Sequence, residues 1–378
     1  MGIVDPPERY GPYLVYEQIG RGGMATVHRA EMATRSGVQE VALKRLLPTL
    51  QRELVTLFLD EAKLHRYLRH PNLATTFDSG RVFGTYFIAM EYVPGHTLKQ
   101  LVEHCALTVG SVPQPITLRL AEQLCAALDH THNCRDEHGK PLDIIHRDVT
   151  PANIIISRDG VLKLIDFGLA KSKSTSEQTA AGVIKGKFGY VAPEYVGGRL
   201  DHRADLWAVG IIMYELLTSR RLFDGADAFE TMMRVRELPI PRPSLGNPHV
   251  TPEIDEIVMT ALERDPARRW QSAAAMRDRL AQVIAQPGNA TDDASVAEWV
   301  AWVFEQQPGR SPQLTPMMAM PIRSLPVVMS DPEGATEVST PPITTFTWDR
   351  PTIIWMICAG AVTLLLLASI VHRLVTGR

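Results

Sequence analysis

His146-Arg147-Asp148-Val149-Thr150-Pro151-Ala152-Asn153, followed by Asp166-Phe167-Gly168, is the stretch on which the reading of this chain turns. Asp148 can accept a proton from a hydroxyl, Asn153 offers an amide oxygen, and Asp166 returns a second carboxylate after a short hairpin. Mg²⁺ prefers such hard oxygen donors, with phosphate oxygens completing its octahedron. Each tripeptide alone is a common accident, whereas the order and spacing together point to one phosphate-handling site.

Upstream lie two segments that such a site needs. Gly20-Arg21-Gly22-Gly23-Met24-Ala25-Thr26-Val27 sits between two strand-like runs, a turn whose glycines let backbone N–H groups approach phosphate oxygens without an intervening Cβ. Alone it equally describes a glycine-rich hairpin, and the chain contains no GxxxxGK[ST] sequence, which removes the P-loop reading. Val41-Ala42-Leu43-Lys44 reads as a strand whose alternation aims Ala42 and Lys44 to the same face. A lysine there holds phosphates only if something fixes its ammonium. Glu61 on the following helix is the best-placed partner, with Asp60 and Glu53 as weaker choices.

Outward from these motifs, residues 13–49 read as strands, and helical periodicity begins near Gln51, where Leu54, Leu57, Phe58, Glu61 and Leu64 fall near one face. Another strand-rich stretch runs from Leu73 to Tyr92, and the remainder to about Ala285 is mainly helical. Val296, Trp299, Val300 and Val303 keep helical spacing after a candidate cap at Asp293, which predicts a short amphipathic extension over 286–305. Residues 306–350 carry eight prolines at scattered positions from Pro308 to Pro342 with little periodicity, an extended linker. The uncharged run from Ile353 to Val371 is expected to form a transmembrane helix of about 28 Å, flanked by Trp348 and Trp355 and followed by a short tail, 372–378.

Composition narrows the function classes. Thirty-nine Lys+Arg against 42 Asp+Glu, a formal charge of −3, give no broad pull toward nucleic acid, so no nucleic-acid partner is expected. The four cysteines, Cys105, Cys125, Cys134 and Cys358, form no CxxC pair, which suggests neither a zinc site nor a disulfide framework. The N-terminus lacks the apolar core of a signal peptide. A strict count of basic residues around the span favours the opposite topology. Carrying a large folded domain across a membrane is the harder event, so that domain is expected in the cytoplasm, C-terminally anchored by a single pass.

With these residues in hand, the chain resembles the protein kinase superfamily, and in particular the membrane-anchored serine/threonine kinases of bacteria. The resemblance runs from about Tyr13 to Ala285 and continues through Ala192-Pro193-Glu194, Asp205-Leu206-Trp207-Ala208-Val209-Gly210 and Arg269. It implies an α+β, two-lobed fold: a small β-rich N-lobe over about 13–93 and a larger helical C-lobe over about 94–285. It implies that MgATP binds between the lobes, that Lys44 grips the phosphates and Glu61 orients Lys44. Asp148 would position and deprotonate the acceptor hydroxyl, and Asn153 and Asp166 would hold Mg²⁺. Ile19, Gly20, Gly22 and Gly23 would line the nucleotide site, and Val27, Ala42 and Ile155 would sandwich the base. Glu91 and Val93, after a gatekeeper-like Met90, would present backbone groups to adenine, and Glu194 would pair with Arg269. The implied partners are protein substrates and the lipid bilayer, with a homodimer for phosphorylation in trans.

Two departures from the family pattern stand out. Ala25 replaces the third glycine of the turn. Thr150 stands where serine/threonine kinases usually carry a lysine that contacts the γ-phosphate, while Lys187 occupies the place of a threonine that normally bonds that lysine. The two partners look exchanged, with Lys187 reaching toward Asp148 and the γ-phosphate. Arg147 beside Asp148 implies regulation by phosphate on the activation segment, where Ser172, Ser174, Thr175, Ser176 and Thr179 are candidate acceptors. The main alternative to an active kinase is a catalytically weak pseudokinase scaffold, for which Thr150 speaks. A small-molecule phosphotransferase is disfavoured by Glu194 and Arg269.

Overall fold

β-Branched and aromatic residues alternate with polar ones over residues 8–46 and 76–91, on either side of one helix, and these stretches fold into an antiparallel sheet. The computed structural model describes residues 6–35, 37–47, 52–167, 188–197 and 200–308. Strands β1 (Glu8–Tyr10), β2 (Tyr13–Arg21), β3 (Ala25–Thr34), β4 (Gly37–Leu46), β5 (Thr76–Val82) and β6 (Thr85–Glu91) pair in the order β1-β2-β3-β4-β6-β5. Period-two alternation gives the sheet two apolar faces. Tyr13, Val15, Val41, Leu43, Phe87 and Ala89 pack on one. Ala25, Ala42, Leu46, Ile88 and Met90 pack on the other, against Phe58 of helix α1 (Arg52–His65). Lys44 shares this second face, since it lies opposite Val27 and Ile88 in register. β1 lies outside the strand range expected from the sequence; it is a short edge strand whose only buried residue is Tyr10.

The C-lobe is built on α3 (Gln114–His132) and α4 (Arg203–Thr218), with α2 (Leu98–Leu107), α5 (Ala228–Glu237), α6 (Pro252–Ala261) and α7 (Ala273–Ile284) around them. α4 is buried on every side from Ala204 to Thr218, its acids Asp205 and Glu215 included, the signature of a helix surrounded by protein. A second sheet of β7 (Gly95–Thr97), β8 (Ile154–Ser157) and β9 (Leu162–Leu164) lies on this lobe. Ile154 and Ile156 point into the C-lobe core while Ile155 stays partly exposed. Strands of three or four residues are too short for alternation to show in sequence, and only the motifs at their ends mark this sheet.

Helix α8 (Asp293–Glu305) buries Val296, Trp299, Val300 and Val303 in the same core as α3 and α4. The cap expected at Asp293 is one residue earlier. Asp292 accepts from the Ser295 N–H at 2.8 Å, as an N-cap does, and Asp293 is released for other contacts. Among the described residues no helix is long and apolar enough to cross a membrane. The expected span 353–371, its tail 372–378, the linker beyond Pro308, Cys358, Gly168, Lys187 and the candidate phosphoacceptors 172–179 lie outside the described residues.

Candidate active site

β4 carries Lys44 to the underside of the N-lobe sheet, and α1 brings Glu61 against it. The Lys44 Nζ donates to Glu61 Oε1 at 2.7 Å and to Asp166 Oδ1 at 3.0 Å. Lys44 and Glu61 are 7% and 2% exposed, so one ammonium is shared by two carboxylates from distant segments. Burial alone would lower Lys44, but the charges of Asp166 and Glu61 outweigh it and hold the ammonium above its ordinary range. Burial raises Glu61 against the pull of Lys44. For Asp166 burial also acts upward, yet Lys44 overcomes it and keeps the carboxyl ionised below its usual range.

The turn at 20–23 closes through Gly22 N–H to the Ala25 carbonyl at 2.8 Å. Gly20, Gly22 and Gly23 all have ordinary negative-side φ values, and a Cβ on any of them would meet no atom closer than van der Waals contact. Their glycine identity therefore follows not from backbone strain but from the open approach they leave to main-chain amides. Ile19, beside them on β2, is half exposed. Below the turn, Val27, Ala42 and Met90 form an apolar floor, with Val93 buried at the end of the connection to the C-lobe. The Glu91 carboxylate is taken by Lys163 at 2.7 Å and by the Thr75 N–H at 3.1 Å. With its N–H bonded to the Thr75 carbonyl at 2.7 Å, what Glu91 can offer a ligand is its main-chain oxygen.

The catalytic loop is held from beneath by Asp205. Its carboxylate accepts from the N–H groups of His146 and Arg147, at 2.9 Å each, and from His132 Nε2 at 2.8 Å. Burial would raise this acid, but the His132 bond and the neighbouring charges prevail and lower it. Arg147 sits at φ +66° and Asp166 at φ +53°, conformations that cost a side-chain-bearing residue about 1–3 kcal/mol and persist only where the surroundings impose them. Asp205 supplies that constraint at Arg147. Asp148, 7% exposed, follows directly, and Asn153 Nδ2 donates to the Asp148 carbonyl at 2.9 Å. The Ile165 N–H donates to the Asn153 carbonyl at 2.9 Å, which places Asn153 beside Asp166.

These residues fit a divalent cation and a polyphosphate. With its nitrogen committed to Asp148, Asn153 is left its oxygen as a donor, and Asp166 has one oxygen on Lys44 with the second unpartnered among the described residues. Two hard oxygens beside a lysine suit a phosphate-bound Mg²⁺. Thr150 is buried, and among the described residues its Oγ1 has no hydrogen-bond partner.

A profile described as "Protein kinase domain" matches residues 13–280, most of the chain. The chain belongs to the protein kinase family. It resembles bacterial serine/threonine kinases: it is 33% identical over 70% of its length to the serine/threonine-protein kinase PrkC of Bacillus subtilis, and 35% identical over 75% to PknB of Mycolicibacterium smegmatis. It is also 32% identical over 75% to the tyrosine-protein kinase MasK of Myxococcus xanthus. The chain spans 39%, 44% and 45% of those relatives respectively. Among solved structures, the PknI kinase domain of Mycobacterium tuberculosis matches 75% of the chain and 99% of that domain, with TM-score 0.54 and 25% identity. Kinases of this family use ATP with a divalent metal, generally Mg²⁺.

Asp205 stood in the sequence motif without a role, although an acid inside so apolar a helix was itself a signal. His65 was missed. One turn beyond Glu61 on the buried face of α1, it meets Phe167 edge-on at 5.3 Å between centroids, and its Nδ1 pairs with Thr76 Oγ1. His146 also contacts Phe167, tilted against it at 4.5 Å between centroids. Burial, with the Lys44 charge acting in the same direction, pushes His65 down to about 4 from 6.5. Between those values the unfolded chain binds a proton that the folded chain refuses, so this contribution to stability is full above pH 6.5 and falls as the pH drops toward 4. His65→Leu is expected to lose about 2 kcal/mol less stability than the parent between pH 7 and pH 5, measured by urea unfolding at both values.

Proposed function

We propose that this kinase transfers the γ-phosphoryl group of ATP to serine and threonine hydroxyls of proteins, itself included, at a membrane surface. The observation that carries the reading is the Lys44 ammonium held at once by Glu61 and Asp166, which orders a phosphate-binding cation beside a metal-binding carboxylate. In this reading Lys44 grips the α- and β-phosphates, Glu61 keeps it aimed, and Asn153 and Asp166 hold Mg²⁺. When bound, Mg²⁺ neutralises charge on the phosphate oxygens. Asp148 orients the acceptor hydroxyl and takes its proton, and Val27, Ala42 and Ile155 enclose the base beneath Ile19 and the glycine turn. Positioning and charge stabilisation supply most of the acceleration.

Serine and threonine are favoured by most of the relatives named above. Tyrosine is the second reading, favoured by Thr150 in place of the usual lysine and by the likeness to MasK. Acid hydrolysis of the product after incubation of the full chain with labelled MgATP and a generic basic protein separates them. Label on phosphoserine and phosphothreonine supports the proposal, and label confined to phosphotyrosine overturns it.

Lys187 supplies, in this account, the positive charge that Thr150 lacks. Thr150, buried and with its hydroxyl unpartnered among the described residues, cannot make that contact itself. Lys187→Ala is expected to lower the turnover about 100-fold, and an unchanged rate would refute the exchange. Arg147, whose Nε is buried and has no partner among the described residues, would read phosphate added within 172–179. Residues 353–371 would anchor the protein with its catalytic domain in the cytoplasm, and neighbouring copies would phosphorylate one another in trans. The pseudokinase alternative has against it the retention of Lys44, Asp148 and Asp166 together.

A further inference from the structure

Helix α8 touches the segment that carries Asp166. Asp293, in its first turn, accepts at Oδ1 from Gln123 Nε2 on α3 at 2.9 Å and from Arg119 at 2.8 Å. Gln123 is 4% exposed, and its other amide atom, Oε1, accepts from the Leu162 N–H at 2.7 Å and from Asn72 Nδ2 at 2.8 Å. Asn72 in turn donates to the Leu162 carbonyl at 3.0 Å and accepts from the Leu164 N–H at 2.9 Å. Leu162 and Leu164 bound β9, and Asp166 follows two residues on. The β8–β9 turn also packs directly on α8. Gly160 has φ +77°, and a Cβ there would overlap the Asp293 carbonyl.

We propose that Asp293 is a positioning residue, which acts through Gln123 to fix β9 and thereby the metal-binding carboxylate of Asp166. The inference rests on the metal-holding role assigned to Asp166 above. Its physical basis is the orientation of one buried amide. Gln123 Oε1 must face two donors, so Nε2 must face α8, and without an acceptor there a buried N–H is left unsatisfied. The amide then has reason to turn or shift; β9 loses its bond from the Leu162 N–H, and Asn72, which also holds β9, loses the acceptor that orients its side chain. A helix lying outside the matched family region, beyond residue 280, thus completes the support of the metal site.

The test is the Mg²⁺ dependence of phosphoryl transfer by the full chain, with thermal unfolding followed in parallel. Gln123→Glu places a carboxylate oxygen against Asp293 and is expected to raise the Mg²⁺ concentration for half-maximal rate about 10-fold. Adding Asp293→Asn, whose amide can donate to the new carboxylate, is expected to restore it to within about 3-fold of the parent. Asp293→Ala, at a side chain only 64% buried by its 36% exposure, keeps the test open should Gln123→Glu fail to fold, and is expected to raise the requirement about 3-fold. An unchanged Mg²⁺ requirement in folded Gln123→Glu or Asp293→Ala would overturn the relay, as would a double variant no better than the single. Asp166→Ala serves as control. Normal transfer by it would overturn the assignment of Asp166 and this inference with it, whereas loss in Asp166→Ala beside an unaffected Gln123→Glu defeats the relay alone.

Discussion

Asp148→Asn is expected to slow phosphoryl transfer about 1,000-fold while the thermal midpoint stays close to that of the parent. The substitution is isosteric, and two bonds that hold the loop at position 148 use its main chain: its carbonyl accepts from Asn153 and its N–H donates to His146 Nδ1. Those bonds survive the change. What is lost is the carboxylate proposed to accept the hydroxyl proton, which an amide cannot replace. Single-turnover transfer at saturating MgATP isolates this step from binding. A variant with the parent's rate would mean that Asp148 takes no part in the chemistry, whatever its place in the loop.

Arg269→Met is expected to destabilise the C-lobe by roughly 3–5 kcal/mol, a large share of the stability of any domain. The Arg269 side chain is fully buried and engages Glu194 through both terminal nitrogens, at 2.8 and 3.1 Å. It also donates to the carbonyls of Glu263 and Arg203 and lies over the Trp207 ring. Methionine fills much of the volume but leaves the Glu194 carboxylate, 15% exposed, without its counter-charge. Lysine does not rescue a two-pronged contact of this kind. Chemical denaturation measures the loss. The double variant with Glu194→Gln is expected to be less destabilised than Arg269→Met alone, because the stranded charge is then removed.

Much of the site was legible because its residues are local. His146 to Asn153 and Asp166 to Gly168 lie within a few turns of one another in sequence, and Lys44 and Glu61 follow from one strand and the next helix. The structure adds the long-range supports, for which no local pattern exists. Nothing in the spacing of His132, His146 and Asp205 announces that one carboxylate gathers both a ring nitrogen and two loop amides. Asn72, Gln123 and Asp293 are individually ordinary polar residues; only the fold makes them one chain of bonds. The two-lobed division follows from a change of hydrophobic period near residue 93, which is strong in sequence. The small β7–β8–β9 sheet does not, since its strands are too short for alternation to show. α8 lay between these cases: its apolar spacing was readable, while its cap was misplaced by one residue because Asp292 and Asp293 are adjacent and chemically alike.

The site formed by Lys44, Glu61, Asp148, Asn153 and Asp166 is proposed to carry out phosphoryl, rather than nucleotidyl, transfer. The most direct measurement follows label from ATP into protein with the full chain and Mg²⁺, once with the γ-phosphate labelled and once with the α-phosphate. Label is expected on protein from the γ-position alone, dependent on Mg²⁺ and absent in Asp148→Asn. Transfer from the α-position, or no transfer from either while MgATP still binds, would contradict that proposal.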